Sequence, residues 1–158
     1  MAACLSSIEA LDASLLERTL RQAALSMSST PLVDEVVVPL LERIGALWDE
    51  GMLRPAHEHL ASAVIRRVLS WVMETFETAD MVPAVVVATP AGELHELGAM
   101  LVATTAAAEG WRVLYLGADL PAEDIAAVAR RTDVRAVALS LVYPSDGARL
   151  ISECRHLA

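Results

Sequence analysis

The sequence has 158 residues, 55% of them apolar, so it can bury the core of one ordinary domain or of two small ones. Its net charge of −9 argues against direct binding to a nucleic-acid backbone by this segment, because such binding depends on Lys and Arg. The apolar runs are too short for a membrane span, and the start resembles no signal peptide. We therefore expect a cytoplasmic protein with no membrane partner, in which Cys4 and Cys154 are reduced thiols.

Residues 1–80 predict a helical bundle. Apolar residues at helical spacing indicate a first helix, and a second is expected from a cap at Thr30 to Gly51, with Trp48 among its inward residues and a kink at Pro39. A third helix is predicted over about residues 55–76. Long amphipathic helices joined by short loops pack as antiparallel neighbours. The positions that define the first helix are Leu11, Leu15, Leu16, Leu20 and Ala24.

Residues 81–158 alternate between strand and helix patterns, which is typical of a parallel sheet with helices on its faces. In such folds ligands bind beyond the carboxyl ends of the strands, here at the loops over residues 89–95 and 139–144. The sequence stops at Ala158 inside an apparent helix, so we expect this α/β domain to be truncated and to have at least one further strand in the parent protein. The predicted strands cover residues 82–88, 112–116 and 136–141, and the predicted helices 96–109 and 121–131.

The loop after the first predicted strand contains a candidate metal ligand, His95. Glu93, two residues earlier, is suited to hold one ring nitrogen and so fix the tautomer, and Gly98 lacks a side chain that would obstruct a large flat ligand. Taken alone, a solvated loop histidine is the commoner interpretation. Phosphate-binding glycine motifs do not follow the first strand, and that strand carries none of the acidic residues a phospho-receiver domain needs.

The string Glu93-x-His95-x-x-Gly98 resembles the Asp-x-His-x-x-Gly motif of base-off/His-on cobalamin-binding domains. The resemblance implies a flavodoxin-like, or Rossmann-like, domain in which His95 replaces the benzimidazole of the cofactor beneath the cobalt. Glu93, Gly98 and the neighbouring Glu96 would then be cofactor-binding residues, and His95 the metal ligand.

A second string, Ser140-Leu-Val142, resembles the Ser-x-Leu motif that follows some forty residues later in the same family, with Val142 in place of Leu. In that family the motif lines the groove that receives the displaced nucleotide tail. The resemblance therefore adds Ser140 and Val142 to the cofactor-binding residues.

In the helical half, Trp48, nine intervening residues and then Glu58-His59 resemble a motif of CarH-like photoreceptors, which are transcriptional regulators that use adenosylcobalamin. The resemblance covers the chain from about Leu11 to its end. It implies that the bundle covers the upper face of the cofactor, with Trp48 and Glu58 around the adenosyl group. Taken singly, Trp48 would more often be a core residue, and Glu58 and His59 a solvated first turn.

Two departures from that family stand out. Asp49 replaces the histidine that directly follows the tryptophan and can take the upper cobalt position after light removes adenosyl, so a bis-histidine state would need His57 or His59. The DNA-binding domain that usually precedes the bundle is not in this sequence. Some related modules are reported to bind a bilin as well.

The resemblance implies a sensor of light rather than an enzyme, with cobalamin held between bundle and α/β domain and with self-association into a homo-oligomer. The main alternative is a corrinoid methyl-carrier subunit of a methyltransferase system, which shares the layout and the lower histidine. The cobalamin domain of a mutase is a weaker alternative because the sequence has no substrate barrel, and an α/β module that binds nothing is another.

Overall fold

The computed structural model describes residues 1–76 and 82–142. The chain forms two compact units, Met1–Thr75 and Phe76–Ala158, and each is described by itself. Cys154, His156 and the helix expected near Ala158 lie outside the described residues. Within the described ranges, no helix combines the length and the apolar character that crossing a bilayer requires.

The first unit is helical, as predicted, but it has one more helix than expected at its N-terminus. The helix α2 is capped by Asp12, whose side chain accepts from the Leu15 N–H at 2.8 Å, and it packs on α1 and α5. Cys4 on α1 is buried, and burial raises the pKa of its thiol. The helices cover Ala2–Glu9 (α1), Ala13–Ser26 (α2), Ser29–Pro31 (α3), Val38–Asp49 (α4) and Pro55–Glu74 (α5).

The segment before α4 differs from the prediction in two ways. The N-cap is Ser28 rather than Thr30, so the first helical turn begins at Ser29 and contains Pro31. Proline is tolerated there because N–H groups in the first turn have no acceptor within the helix. A π-helix, Leu32–Val37, stands where a kink at Pro39 was expected. Pro39 has no N–H for the carbonyl four residues earlier, and the wider π turn accommodates that loss.

Over residues 82–142 the second unit forms a three-stranded parallel sheet with the order β2-β1-β3, which confirms the predicted α/β class. The central strand β1 is buried along its whole length, as expected of a strand with neighbours on both sides and helices on its faces. Val86, Ala88 and Ile125 form the centre of the core. The elements are Ala84–Pro90 (β1), Leu97–Ala108 (α6), Arg112–Leu120 (β2), Ala122–Thr132 (α7) and Ala136–Leu139 (β3).

Two strand ends were predicted too early. The strand β1 continues to Pro90, so Thr89 belongs to the strand and not to the following loop. The strand β2 continues to Leu120 through two positions of positive φ, Gly117 and Asp119, where its pairing with β1 is irregular. Such positions in sequence are typical of turns, but here they bend the strand without ending it.

Candidate functional site

The loop after β1 holds His95 against a buried carboxylate. Glu93 is only 6% exposed in its side chain, whereas that of His95 is 64% exposed. The Glu93 Oε1 lies 2.6 Å from His95 Nδ1 and accepts from the His95 backbone N–H at 2.8 Å. Because a carboxylate only accepts, Nδ1 carries the proton in this pair, and a metal bond would be made through Nε2.

The second oxygen of the same carboxylate reaches the loop after β3. Glu93 Oε2 accepts from the Val142 N–H at 3.0 Å, and the Ser140 N–H donates to the Ala88 carbonyl at 3.1 Å. The two loops that the sequence separates by some fifty residues therefore meet at one carboxylate. This places the predicted residues Glu93, His95 and Val142 together at the carboxyl ends of β1 and β3.

Gly98 and Ser140 are also neighbours. A Cβ added at Gly98 would lie 2.5 Å from the Ser140 Oγ, which is far inside van der Waals contact. The hydroxyl therefore occupies the space above the first turn of α6 that only a glycine leaves open. These two predicted residues form one small cradle beside the His95 loop.

Glu96 has a different environment from its neighbours in the loop. Its Oε2 accepts from the Tyr115 hydroxyl on β2 at 2.6 Å. Tyr115 was not among the predicted site residues, because a phenol on a strand carries no local sign of a partner 19 residues away. The structure thus gives Glu96 a protein partner on a neighbouring strand.

Sequence reasoning also missed a set of hydrogen bonds below the loop. The Asp119 N–H donates to Thr89 Oγ1 at 3.0 Å and lies 3.2 Å from the Glu93 carbonyl oxygen, and Thr89 Oγ1 donates to that carbonyl in turn. Asp119 Oδ1 accepts from the Gly92 N–H at 2.7 Å. Both ends of the Gly92–Glu93 segment are therefore fixed to the end of β2.

In the helical unit Trp48 is not an inward residue, contrary to the prediction. It lies near the end of α4 and is 43% exposed, while Ile44 and Leu47 on the same helix are buried. Ile44 and Leu47 occupy the core positions at this end of α4, and the large ring of Trp48 remains on the surface. Gly51, with φ +71°, then turns the chain towards α5.

Glu58 and His59 lie in the first turns of α5. Glu58 Oε2 is 2.6 Å from His59 Nδ1, and its Oε1 accepts from the Ser62 hydroxyl at 2.6 Å. The His59 side chain is 79% exposed. His57 caps the same helix, since its Nδ1 accepts from the Arg54 N–H at 3.0 Å.

Comparison with known proteins assigns both units of the chain to protein families. Residues 2–72 match one family model and residues 83–150 match another, and both are described as a B12 binding domain. The chain therefore belongs to the B12-binding proteins, and its two units are B12 binding domains of two kinds.

Two relatives are similar over most of the chain. The HTH-type transcriptional repressor CarA of Myxococcus xanthus is 38% identical over 139 residues, which are 87% of this chain and 46% of CarA. The repressor CarH of the same organism is 32% identical over 131 residues, or 82% of this chain and 44% of CarH. The chain is thus homologous to these repressors, and it spans about half of their length.

A solved structure shares the fold. The monomethylamine corrinoid protein of Methanosarcina barkeri is 15% identical and has a TM-score of 0.65, covering 86% of this chain and 65% of that protein. A likeness at this identity supports the fold of the chain and does not extend to its activity.

The described residues fit a corrinoid. His95 offers an imidazole whose tautomer is set by Glu93, and Gly98 leaves room for the Ser140 hydroxyl beside the start of α6. The loops at the same edge of the sheet present apolar side chains to solvent, namely Leu94, Leu141 and Val142. An exposed apolar rim around one oriented imidazole suits a large, mostly apolar ring with a metal at its centre.

Proposed function

We propose that this chain is an adenosylcobalamin-binding sensory module that responds to light and belongs to a transcriptional regulator. The observation that carries the proposal is the buried Glu93 carboxylate on His95 Nδ1, since it prepares Nε2 to bind cobalt. Support for the regulatory class comes from the similarity to CarA and CarH.

On the lower side of the cofactor we assign His95 as the cobalt ligand and Glu93 as the group that orients it. The displaced nucleotide tail would be received by Gly98, Ser140 and Val142. The Ser140 hydroxyl lies over Gly98 at this place. Glu96 completes the set at the start of α6, held by Tyr115. These side chains bind and orient, and none of them takes part in a reaction.

On the upper side we assign Trp48, Glu58 and His59. An exposed tryptophan supplies a large rigid surface for an adenosyl group, and a methyl group would be too small to reach it. Glu58 supplies carboxylate oxygens to ribose hydroxyls. Its contact with Ser62 sets the position of the carboxylate on α5.

When bound, adenosylcobalamin supplies a cobalt–carbon bond that visible light breaks. The role of the chain is to bind the intact cofactor and to lose the packing at Trp48 once adenosyl departs. That loss changes the conformational preference of the helical unit, which in turn alters association between copies of the chain or with an output domain. We propose that this chain makes no direct contact with DNA, because its net charge is −9.

The test compares absorbance spectra of the purified chain with adenosylcobalamin and with methylcobalamin, before and after illumination, together with light scattering. We expect a base-off/His-on spectrum, tighter binding of adenosylcobalamin, an oligomer when it is bound, and a change of size on illumination. Equal affinity for the two cofactors with no change of size would instead support a corrinoid methyl carrier. A chain that remains monomeric at micromolar concentration with the cofactor bound would contradict the proposed self-association.

A further inference from the structure

The end of β2 carries a residue in an unusual conformation next to the His95 loop. Asp119 has φ +60°, a left-handed conformation that few residues other than glycine adopt and that Asn and Asp tolerate best. It follows Gly117, also at positive φ, in the stretch where β2 and β1 lose their regular pairing. Bulges of this kind change the direction of a strand and commonly lie beside functional sites.

The conformation of Asp119 directs two of its groups at the loop after β1. Its N–H meets Thr89 Oγ1 and the Glu93 carbonyl, and its carboxylate accepts from the Gly92 N–H at 2.7 Å. Thr89 is fully buried on β1 and donates its own hydroxyl to the Glu93 carbonyl. Asp119 thus contacts the backbone on both sides of the Gly92–Glu93 peptide bond.

These contacts act on Glu93 through its backbone, whereas Glu93 acts on His95 through its side chain. Gly92 has φ +90° and so leaves this part of the loop free to take many conformations unless something fixes it. A carboxylate must be placed within a few tenths of an ångström to keep both of its oxygens in hydrogen bonds. Fixing the backbone of Glu93 is therefore a condition for orienting the imidazole.

We propose that Asp119, acting with Thr89, is a positioning residue for His95: it holds the loop backbone so that the Glu93 carboxylate meets His95 Nδ1 before any ligand arrives. The inference rests on the proposed role of His95 as the cobalt ligand. It adds a second contribution from β2 to the site, beside the contact of Tyr115 with Glu96.

The variants separate the carboxylate of Asp119 from its backbone conformation. Asp119→Gly permits positive φ but removes the acceptor for Gly92, Asp119→Asn keeps an acceptor oxygen at the same position, and Thr89→Val removes the buried hydroxyl. The matched control is Asp133→Gly, because Asp133 also has positive φ, at the end of α7. Thermal unfolding of each variant shows whether the unit remains folded.

The first measurement is made on the chain without cofactor, by nitrogen NMR of the imidazoles and by hydrogen exchange. In the wild type and in Asp119→Asn we expect His95 protonated on Nδ1 and the Gly92 amide protected. In Asp119→Gly we expect a mixture of tautomers and at least tenfold faster exchange at Gly92. Asp133→Gly should match the wild type in both.

The second measurement is the affinity for hydroxocobalamin and the fraction bound base-off/His-on. Partners that orient a metal ligand change affinity by about 10- to 100-fold, and we expect about tenfold for Asp119→Gly because it acts one step further away. Thr89→Val should show the same direction of change in tautomer and in affinity.

An unchanged His95 tautomer and Gly92 exchange rate in Asp119→Gly, or equal effects of Asp119→Gly and Asp133→Gly, would overturn the inference. If the wild type fails to bind cobalamin through His95, the proposed function is wrong, while the NMR results without cofactor still decide whether Asp119 positions His95. If Thr89→Val does not fold, the two glycine variants alone give the answer.

Discussion

The two units differ in how firmly they hold their candidate cofactor residues. In the α/β unit, His95 is fixed through Glu93, a buried carboxylate whose two oxygens both accept from backbone N–H groups. In the helical unit, Trp48 lies on the surface, and Glu58 and His59 bond only to each other and to Ser62 in the contacts described above.

This difference indicates two ways of meeting a ligand. A metal ligand benefits from a fixed orientation, because a preorganised donor loses little freedom on binding. A tryptophan that is 43% exposed still presents part of a large ring that a ligand can cover. Under the proposed function, the His95 loop would be ordered before the cofactor binds, whereas Trp48 would be covered only once it has bound.

The largest effect is expected from removing His95, the proposed cobalt ligand. His95→Ala should weaken cobalamin binding by more than about 100-fold, above the range for residues that only orient a ligand, or leave the cofactor base-on. The absorbance spectrum measures this. Glu109→Ala is the control, since Glu109 is exposed at the end of α6 and has no assigned role in binding. A His95→Ala spectrum identical to that of the wild type would exclude His95 as the ligand.

Trp48→Ala tests the proposed contact between Trp48 and the adenosyl group. Adenosylcobalamin should lose affinity by at most about 3 kcal/mol, near the low end for emptying an aromatic site, and methylcobalamin by far less. Because Trp48 is partly exposed in the free chain, the melting temperature without cofactor should change little. Calorimetric titration with both cofactors gives the ratio, and equal losses would move the assignment towards a methyl carrier.

Glu93→Gln tests how the lower side is prepared. A glutamine has one acceptor oxygen, so it cannot serve the His95 and Val142 N–H groups with separate oxygens as the carboxylate does. We expect a loss of affinity of about 10- to 100-fold, measured by absorbance titration. Glu109→Gln is the matched control, because it makes the same change at an exposed position at the end of α6. Wild-type affinity in Glu93→Gln would refute the orienting role.

Gly98→Ala tests the close approach of Ser140 to Gly98 beside the His95 loop. The added Cβ displaces the Ser140 hydroxyl, which can rotate away, and alanine favours a helix, so the free energy of unfolding should change by less than about 1 kcal/mol. Cobalamin affinity should fall more than stability does. The double variant with Ser140→Ala removes the clash. If it binds no better than Gly98→Ala, the clash is not the cause.

The smallest effect concerns the stability of the helical unit. Hydrogen bonds from Arg67, then from Arg21, hold the pKa of the Glu17 carboxyl below its ordinary value of 4.5. A lowered pKa stabilises the folded state above that value and the gain is lost as the pH falls through the folded pKa. Glu17→Gln should cost about 0.2–1 kcal/mol at neutral pH and less in acid, as measured by denaturation. Glu42→Gln is the control, and an equal cost at every pH would contradict this origin.

The sequence predicted the fold better than it predicted the surroundings of the site. The apolar spacing along α2, α4 and α5 and the β-branched run of β1 are local signals, and they located these elements within a few residues. The helix α1 was missed, and β2 was ended early because Gly117 and Asp119 have the composition of a turn.

The predicted lower residues meet in the structure because their loops follow adjacent parallel strands, which is a rule that sequence can apply. The contacts of Thr89, Tyr115 and Asp119 join residues 19 to 30 positions apart and depend on register, which no local pattern encodes. Trp48 was placed inward because periodicity marks a broad stripe and does not distinguish its edge from its centre.

The position of β1 between β2 and β3 has a mechanical consequence. The loop that follows it is attached on one side to β2, through Gly92 and Asp119, and on the other side to β3, through Glu93 and Val142. A force that pulls the imidazole away from the sheet is therefore shared between two lateral attachments rather than borne by one hinge. The Gly92 and Val142 amides, one on each side, should open to solvent together when the loop moves, so that displacement of the one ring reaches both neighbours of β1.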